Sequence, residues 1–150
     1  MLQPGTKAPE FVLPDDQGTE TSLSGLLREG SLILYFYPAD FTPFCTKEAC
    51  SIRDLHGDIV RSGLRVVGIS PQDVASHVRF RERYRLPFLL LSDPQKIAVR
   101  LYDVDGPLGL RVRRATYLIG DDGVIRDALL ADLRVSRHEE FIRKAIELGS

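Results

Sequence analysis

The sequence has little of what would place it in several large classes of protein. It contains only two cysteines, too few for the disulfide network that holds small secreted domains together. Its 20 basic and 21 acidic residues leave a net charge of −1, so bulk electrostatics gives no reason to bind nucleic acid. The longest apolar run covers residues 32–37 and is far too short to cross a membrane. We therefore expect neither nucleic acid nor membrane as a partner.

The chain also lacks the signals of secretion and of a metal site. The N-terminal residues show no charged segment followed by an apolar one, so we expect a cytoplasmic protein in which any disulfide is transient. The three histidines, His56, His77 and His138, fall on different predicted helices without ligand spacing. We predict that each is exposed or partly buried, and that the protein needs no metal and no other cofactor.

What is present is typical of one globular domain, predicted over residues 1–150. The chain is 43% hydrophobic and 27% charged. Apolar runs predict strands over residues 32–37, 64–70, 88–91 and 115–119, and helical patterns cover residues 43–61, 73–84 and 94–101. A hairpin turn at residues 121–123 leads into a strand over 124–130, and Ser136 is expected to cap a final helix.

The order of these elements predicts the fold class. Strands and helices alternate at first, and two strands then follow each other through a hairpin. Residues 11–13 and the turn at 15–18 indicate an N-terminal hairpin, followed by a brief helix capped by Ser22 or Ser24. We predict an α/β domain with a mixed central sheet, helices on both faces and an N-terminal hairpin extension.

Both cysteines, Cys45 and Cys50, follow a buried strand at the start of a predicted helix. A free cysteine is only about 3% thiolate at pH 7, and the thiolate is the nucleophile. Thr42 as N-cap and Pro43 at the first helical position would place Cys45 in the first turn, where unpaired N–H groups and the helix dipole favour an anion. The alternative is that both cysteines are small buried apolar residues.

The five-residue spacing of Cys45 and Cys50 restricts how they could bond. On an intact helix their Cα atoms would be about 8.6 Å apart, beyond the usual limit of about 7 Å for a disulfide. A disulfide between them therefore requires the first turns of the helix to unwind. A Cys-x-x-Cys pair, which would indicate dithiol–disulfide exchange, is absent.

At these residues the sequence resembles the peroxiredoxins, specifically the bacterioferritin comigratory protein (peroxiredoxin Q) group. The family pattern Pro-x-x-x-Thr-x-x-Cys is matched by Pro38, Thr42 and Cys45, and a second cysteine five residues later marks the subgroup. Residues 8–11, 22–23, 68–71, 86–93 and 114–119 also look like the family's sequence. The resemblance implies a thioredoxin-like fold.

The resemblance also implies a role for each matching residue. Cys45 would be the nucleophile that attacks peroxide, and Cys50 the thiol that resolves its sulfenic acid as a disulfide. Thr42 would hydrogen-bond the thiolate and the peroxide, while Pro38 would shield the pocket from water. Arg114 would supply a cation, with Glu48 as the acid that orients it.

The function predicted from this resemblance is a thiol-dependent peroxidase. It would reduce hydrogen peroxide and alkyl hydroperoxides and be recycled by thioredoxin or a similar dithiol reductant, as a monomer or a weak homodimer. The alternatives are a thiol–disulfide oxidoreductase or a peroxide-responsive redox sensor on the same fold. Phe44 stands where the subgroup usually has glycine, and Phe41 replaces a usual polar residue, so we expect a more apolar rim and altered unwinding.

Overall fold

The computed structural model describes residues 1–149; Ser150, the last residue of the predicted domain, lies outside the described residues. The strands are β1 (Val12–Pro14), β2 (Glu20–Ser22), β3 (Leu32–Phe36), β4 (Arg65–Ser70), β5 (Leu89–Ser92), β6 (Ala115–Ile119) and β7 (Ile125–Leu130). The helices are α1 (Leu23–Leu27), α2 (Pro43–Arg61), α3 (Val74–Tyr84), α4 (Ile97–Leu101) and α5 (Val135–Leu148), with a 3₁₀ turn at Pro107–Gly109.

The main sheet is mixed, as predicted. Its strand order is β5-β4-β3-β6-β7, with β3, β4 and β5 parallel and β6 and β7 antiparallel to their neighbours. All five residues of β3 are buried, which explains why this strand is a continuous apolar run rather than an alternating one. β1 and β2 form the predicted N-terminal hairpin as a separate antiparallel pair.

The alternating side chains of β3 divide the core between two faces of the sheet. Leu32, Leu34 and Phe36 pack in a cluster that includes residues of α1, α4 and the hairpin. Ile33 and Tyr35 pack in a second cluster with residues of α2, α3 and α5. Helices therefore cover both faces, and the predicted fold class is confirmed. Among residues 1–149, no helix combines the length and the apolar character needed to span a membrane.

Most element boundaries agree with the sequence prediction to within one to three residues, and one predicted cap is wrong. Ser22 caps α1, its hydroxyl accepting a hydrogen bond from the Gly25 N–H at 3.0 Å. α5 begins at Val135 with Arg134 at the N-cap, so Ser136 lies inside the helix and does not cap it. Burial of Val135 and His138 in the first turn fixes this start, and packing outweighs the capping preference of serine.

Candidate active site

Cys45 is the third residue of α2 and lies at the positive end of the helix dipole. Thr42 is the N-cap and Pro43 follows it, as predicted, because proline needs no hydrogen-bond acceptor in the first turn. Cys45 itself is 1% exposed and packs in the cluster between β3, α2 and α5. The fold thus holds this thiol in the first turn of a helix, where the backbone N–H groups have no partner within the helix and the dipole is positive.

Arg114 reaches this cysteine from a distant part of the chain. The antiparallel register of β3 and β6 pairs Phe36 with Ala115, so the residue before β6 lies beside the end of β3. From there the Arg114 Nη2 donates to Cys45 Sγ at 3.3 Å. The side chain is 4% exposed, so this cation acts on the sulfur with little screening by water.

Three further hydrogen bonds hold the Arg114 guanidinium and backbone in place. Its Nη1 donates to Glu48 Oε1 at 2.6 Å, and its Nε donates to the Asp132 carbonyl at 3.1 Å. Its backbone N–H donates to the Asp132 carboxylate at 3.0 Å. The neighbouring Arg113 pairs instead with Asp132 at 2.7 Å and is 43% exposed. Arg114 is therefore the arginine whose guanidinium group is held in contact with the Cys45 sulfur.

Burial and charge act in opposite directions on the ionisable groups of this cluster. Burial raises the pKa of Glu48 to about 7, although the Arg114 guanidinium acts to lower it. Burial acts to lower the pKa of Arg114, but the charges of Glu48 and Cys45 outweigh it and raise that pKa. Arg114 is consequently a cation throughout the physiological range, whereas Glu48 titrates within it.

Pro38 and Thr42 line a cleft of about 560 Å³ beside the start of α2, together with Arg114 and the exposed side chains of Phe44 and Leu110. The Thr42 hydroxyl donates to the Ala39 carbonyl at 3.0 Å. Within residues 1–149 it makes no hydrogen bond to the Cys45 sulfur, so its predicted contact with a thiolate stays a prediction. The predicted apolar rim is present only in part: Phe44 is 47% exposed at this opening, but Phe41 does not line the cleft and packs on Phe80 instead.

Cys50 is half-buried on the same helix, and both thiols are free. Because α2 is continuous from Pro43 to Arg61, the helical separation of about 8.6 Å between the two Cα atoms applies. This geometry excludes a Cys45–Cys50 disulfide while the helix is intact. The cluster at Cys45 and Arg114 therefore does not include Cys50 in this state.

The loop that leads into α2 is fixed to α3 by two adjacent residues. The buried Asp40 carboxylate accepts from Tyr37 Oη at 2.6 Å and from Ser76 Oγ at 2.7 Å, and lies 2.7 Å from His77 Nδ1. Next to it, Phe41 takes a left-handed backbone conformation with φ of 66°. Its ring packs on Phe80 of α3 with centroids 5.1 Å apart.

The prediction that every histidine is exposed or partly buried is wrong for two of the three. His56 is half-buried, but His77 and His138 are 0% and 1% exposed. Burial is possible because both ring nitrogens of each have a partner. His77 Nε2 lies 3.1 Å from the Leu91 carbonyl, in addition to its contact with Asp40, and His138 lies between Thr116 and the Ala131 carbonyl.

Neither buried histidine could be assigned a role from its local sequence. Each lies on an amphipathic helix, and their partners Asp40 and Thr116 are 37 and 22 residues away along the chain. The one available signal is helical spacing: His77 stands three residues before the buried Phe80, on the same face of α3. In the part of the chain that the structure describes, no group of three or more His, Cys, Asp or Glu side chains could hold a metal ion.

With this geometry established, comparisons with known proteins identify what the chain is similar to. Residues 4–128 match the model of the AhpC/TSA family. A curated relative from Coxiella burnetii, named "Putative peroxiredoxin bcp", is 41% identical over 143 residues, covering 91% of this chain and 93% of its own length.

Solved structures agree with the sequence matches. The crystal structure of peroxidoxin BcpB from Mycobacterium tuberculosis superposes with a TM-score of 0.92 at 34% identity, covering 99% of this chain and 98% of that one. A trapped intermediate/ligand complex structure of the bacterioferritin comigratory protein from Xanthomonas campestris, described by its alkyl peroxide reduction activity, gives 0.84 at 26% identity, covering 99% and 96%. These similarities extend over the whole fold that carries the Cys45 cluster.

Proposed function

Because the chain belongs to the AhpC/TSA family, among peroxiredoxins of the bacterioferritin comigratory protein type, we propose that it is a thiol-dependent peroxidase acting on hydrogen peroxide and alkyl hydroperoxides. The observation that carries the proposal is the position of the buried Cys45 sulfur. It lies in the first turn of α2, 3.3 Å from the Arg114 guanidinium group. A thiol–disulfide oxidoreductase is not favoured, since its Cys-x-x-Cys pair is absent from the sequence.

In the first step the Cys45 thiolate attacks the terminal oxygen of the peroxide. An S–O bond forms as the O–O bond breaks, so sulfur is oxidised to a sulfenic acid while the peroxide is reduced to an alkoxide or hydroxide. The leaving oxygen takes one proton and departs as an alcohol or water. Arg114 stabilises the thiolate before the attack and the developing oxyanion during it, because it contacts the Cys45 sulfur and also lines the cleft.

Pro38 and Thr42 control how the peroxide reaches the Cys45 sulfur. Pro38 lines the cleft next to the nucleophile and keeps bulk water from the sulfur, which strengthens the electrostatic contacts there. The Thr42 hydroxyl, now on the Ala39 carbonyl, turns toward the peroxide when it enters. Rotation about a single side-chain torsion is enough for this change.

Recycling requires Cys50 and a change in α2. The first turns of the helix unwind, and the Cys50 thiol condenses with the Cys45 sulfenic acid, releasing water and forming a disulfide. Thioredoxin or a similar dithiol protein then reduces the disulfide by exchange. A cytoplasmic location, a monomeric or weakly dimeric state and a single domain over residues 1–150 complete this proposal as predictions.

Stopped-flow peroxide reduction on three proteins tests these steps together. Wild type should turn over with thioredoxin; Cys45→Ser should show no peroxide-dependent reaction. Cys50→Ser should complete one fast oxidation and then lose thioredoxin-dependent turnover. Peroxidase activity that survives in Cys45→Ser would refute the assignment, and undiminished thioredoxin-dependent turnover in Cys50→Ser would refute the intramolecular disulfide alone.

A further inference from the structure

The loop between β3 and α2 carries two of the residues that line the cleft, Pro38 and Thr42, and Asp40 lies between them in the sequence. Within the described residues, no backbone hydrogen bond ties residues 38–41 to another strand or helix. The backbone of the loop is anchored only at its two ends, where the Tyr37 N–H donates to a carbonyl of β4 at 3.1 Å and where α2 begins. The conformation between these ends therefore depends on side-chain contacts.

The backbone of this loop is strained at Phe41. The residue has a φ of 66°, in the left-handed region that residues with bulky side chains avoid. Such a conformation persists only where the surrounding structure imposes it. The Phe41 ring packs on Phe80 of α3, with the ring centroids 5.1 Å apart, so α3 supplies one of the contacts that impose it. If these contacts were lost, the backbone would relax at the residue next to Thr42 and would move the Thr42 hydroxyl with it.

Asp40 supplies the polar contacts between the loop and α3. Its side chain is fully buried. The Asp40 Oδ1 accepts from Tyr37 Oη at 2.6 Å. The Oδ2 accepts from the Ser76 hydroxyl at 2.7 Å and lies 2.7 Å from His77 Nδ1. Two consecutive residues of α3 therefore hold one carboxylate oxygen, at a depth where water cannot replace them.

His77 extends this contact from the loop to the main sheet. Its ring is fully buried, and its Nε2 lies 3.1 Å from the Leu91 carbonyl of β5. A carbonyl only accepts, so Nε2 donates to it, and the contact of Nδ1 with the Asp40 Oδ2 places a second proton between those two atoms. Because both ring nitrogens are engaged, the ring cannot turn without breaking two buried hydrogen bonds. His77 thus connects the loop to the sheet.

We propose that His77 is a positioning residue for peroxide reduction, which acts through Asp40 to hold the strained loop so that Pro38 and Thr42 stay in place at the cleft. The role rests on the proposed peroxidase function and adds to it a residue that does not line the cleft itself. It requires both the proton between His77 and Asp40 and the burial of the pair, since either loss frees the loop from α3.

This role predicts that two reactions of the same sulfur respond differently to the loss of His77. The Arg114 guanidinium at the Cys45 sulfur is held by Glu48 and by the Asp132 carbonyl, and neither contact involves His77. Without the histidine the sulfur should keep its nucleophilicity, while the groups that receive the peroxide are misplaced. A displacement of about 1 Å in such groups costs up to about a hundredfold in rate. Alkylation by iodoacetamide does not need these groups and should not slow.

Cys50→Ser protein isolates the first step, because its Cys45 sulfenic acid has no second cysteine with which to form a disulfide. In this background His77→Gln should lower the second-order rate constant for hydrogen peroxide about tenfold, measured by competition with a haem peroxidase. Its rate of alkylation by iodoacetamide, followed by mass spectrometry, should not fall. Ser76→Ala removes one hydrogen bond to Asp40 and should lower the peroxide rate constant about threefold. The milder variant decides the matter if His77→Gln does not fold.

Leu26→Ala in the same background provides the matched control for lost stability. Leu26 is buried on α1, in the core cluster on the other face of the sheet from α3. Truncating a buried leucine destabilises the fold without removing any contact of the catalytic loop. The folded form still predominates, so the peroxide and alkylation rate constants should equal those of the Cys50→Ser parent.

Thr42→Val tests whether the histidine acts through the loop. In Thr42→Val protein, His77→Gln should lower the peroxide rate constant by only about twofold, because the hydroxyl that it positions is already gone. An equal loss with and without the Thr42 hydroxyl would overturn the proposed route from His77 to the cleft.

The remaining outcomes separate this role from the proposed function. A Cys50→Ser parent that does not consume peroxide would overturn the peroxidase proposal, and the role of His77 with it. A parent that reacts, together with unchanged rate constants in His77→Gln and Ser76→Ala, would overturn the positioning role alone. Peroxide reduction and alkylation that slow in parallel would show that His77 affects the sulfur itself, which also contradicts a positioning role.

Discussion

Two buried groups, Glu48 and His138, should determine how the stability of the folded protein depends on pH. Unfolded Glu48 holds its proton only below its usual pKa of 4.5, whereas burial raises the folded pKa to about 7. Between these values the folded state binds more protons than the unfolded state. The contribution of Glu48 to stability therefore falls as pH rises through this window.

His138 contributes with the opposite sign. Its ring is protonated below its usual pKa of 6.5 when unfolded, but burial lowers the folded pKa to about 4. Between these values the unfolded state binds more protons, so stability rises with pH. From pH 4.5 to 6.5 the two slopes overlap, and each changes the free energy of unfolding by about 2 kcal/mol. In wild type the contributions of Glu48 and His138 cancel over this pH range.

Replacing either residue should reveal the pH dependence of the unfolding free energy that the other residue contributes. We expect His138→Gln to lose about 2 kcal/mol of stability, relative to wild type, between pH 4.5 and 6.5, and Glu48→Gln to gain about as much over the same range. Urea unfolding of the reduced proteins, followed by circular dichroism at several pH values, measures both. Differences from wild type remove the contributions of all other titrating groups.

Glu140→Gln provides the matched control, because Glu140 is an exposed acid on the same helix as His138. Its unfolding free energy should run parallel to that of wild type at every pH. If His138→Gln and Glu48→Gln each shift stability by a constant amount from pH 4.5 to 6.5, the two groups do not titrate in opposite directions, and the reasoning from their burial fails.

Two further changes test the surroundings of Cys45. Asp40→Asn should destabilise the protein by about 3 kcal/mol in urea unfolding, because it leaves the buried His77 without its carboxylate partner. A loss of stability below about 1 kcal/mol would contradict this prediction. Phe44→Gly should weaken the first turn of α2 by about 0.5–1 kcal/mol and speed the proposed Cys45–Cys50 disulfide formation about threefold in stopped-flow fluorescence. An unchanged or slower rate would show that this turn does not limit unwinding.

Local patterns in the sequence were enough to predict the elements that position the nucleophile. The buried run at β3 and the Thr42–Pro43 helix start are local signals, since each depends on neighbouring residues alone. Arg114 was assigned through the family resemblance, and nothing in its local sequence predicts its contact with Cys45. That contact depends on the register of β3 and β6, which brings together residues 69 positions apart.

The burial of His77 and His138 could not be predicted for a related reason. A histidine on an amphipathic helix has the same local pattern whether it faces solvent or a polar partner inside the protein. His138 acquires its neighbours only when α5 packs on β6 and α2, which brings in Thr116 and Glu48. The start of α5 was misplaced for the same reason, since tertiary packing and not the serine decides it.

The attachment of the catalytic loop to α3 has a consequence for how often the enzyme can cycle. Asp40 and Phe41 are fixed on one side of residues 42–47, and the buried Glu48 and Ala49 are fixed on the other. Unwinding of α2 is thereby confined to a short tethered segment whose ends stay close together. In the proposed cycle this segment of six residues should close quickly, since even a loop of about ten residues closes in about 10–100 ns, far less than the lifetime of a typical protein complex. On the proposed mechanism we therefore expect the supply of reductant, and not the refolding of α2, to limit the rate of turnover.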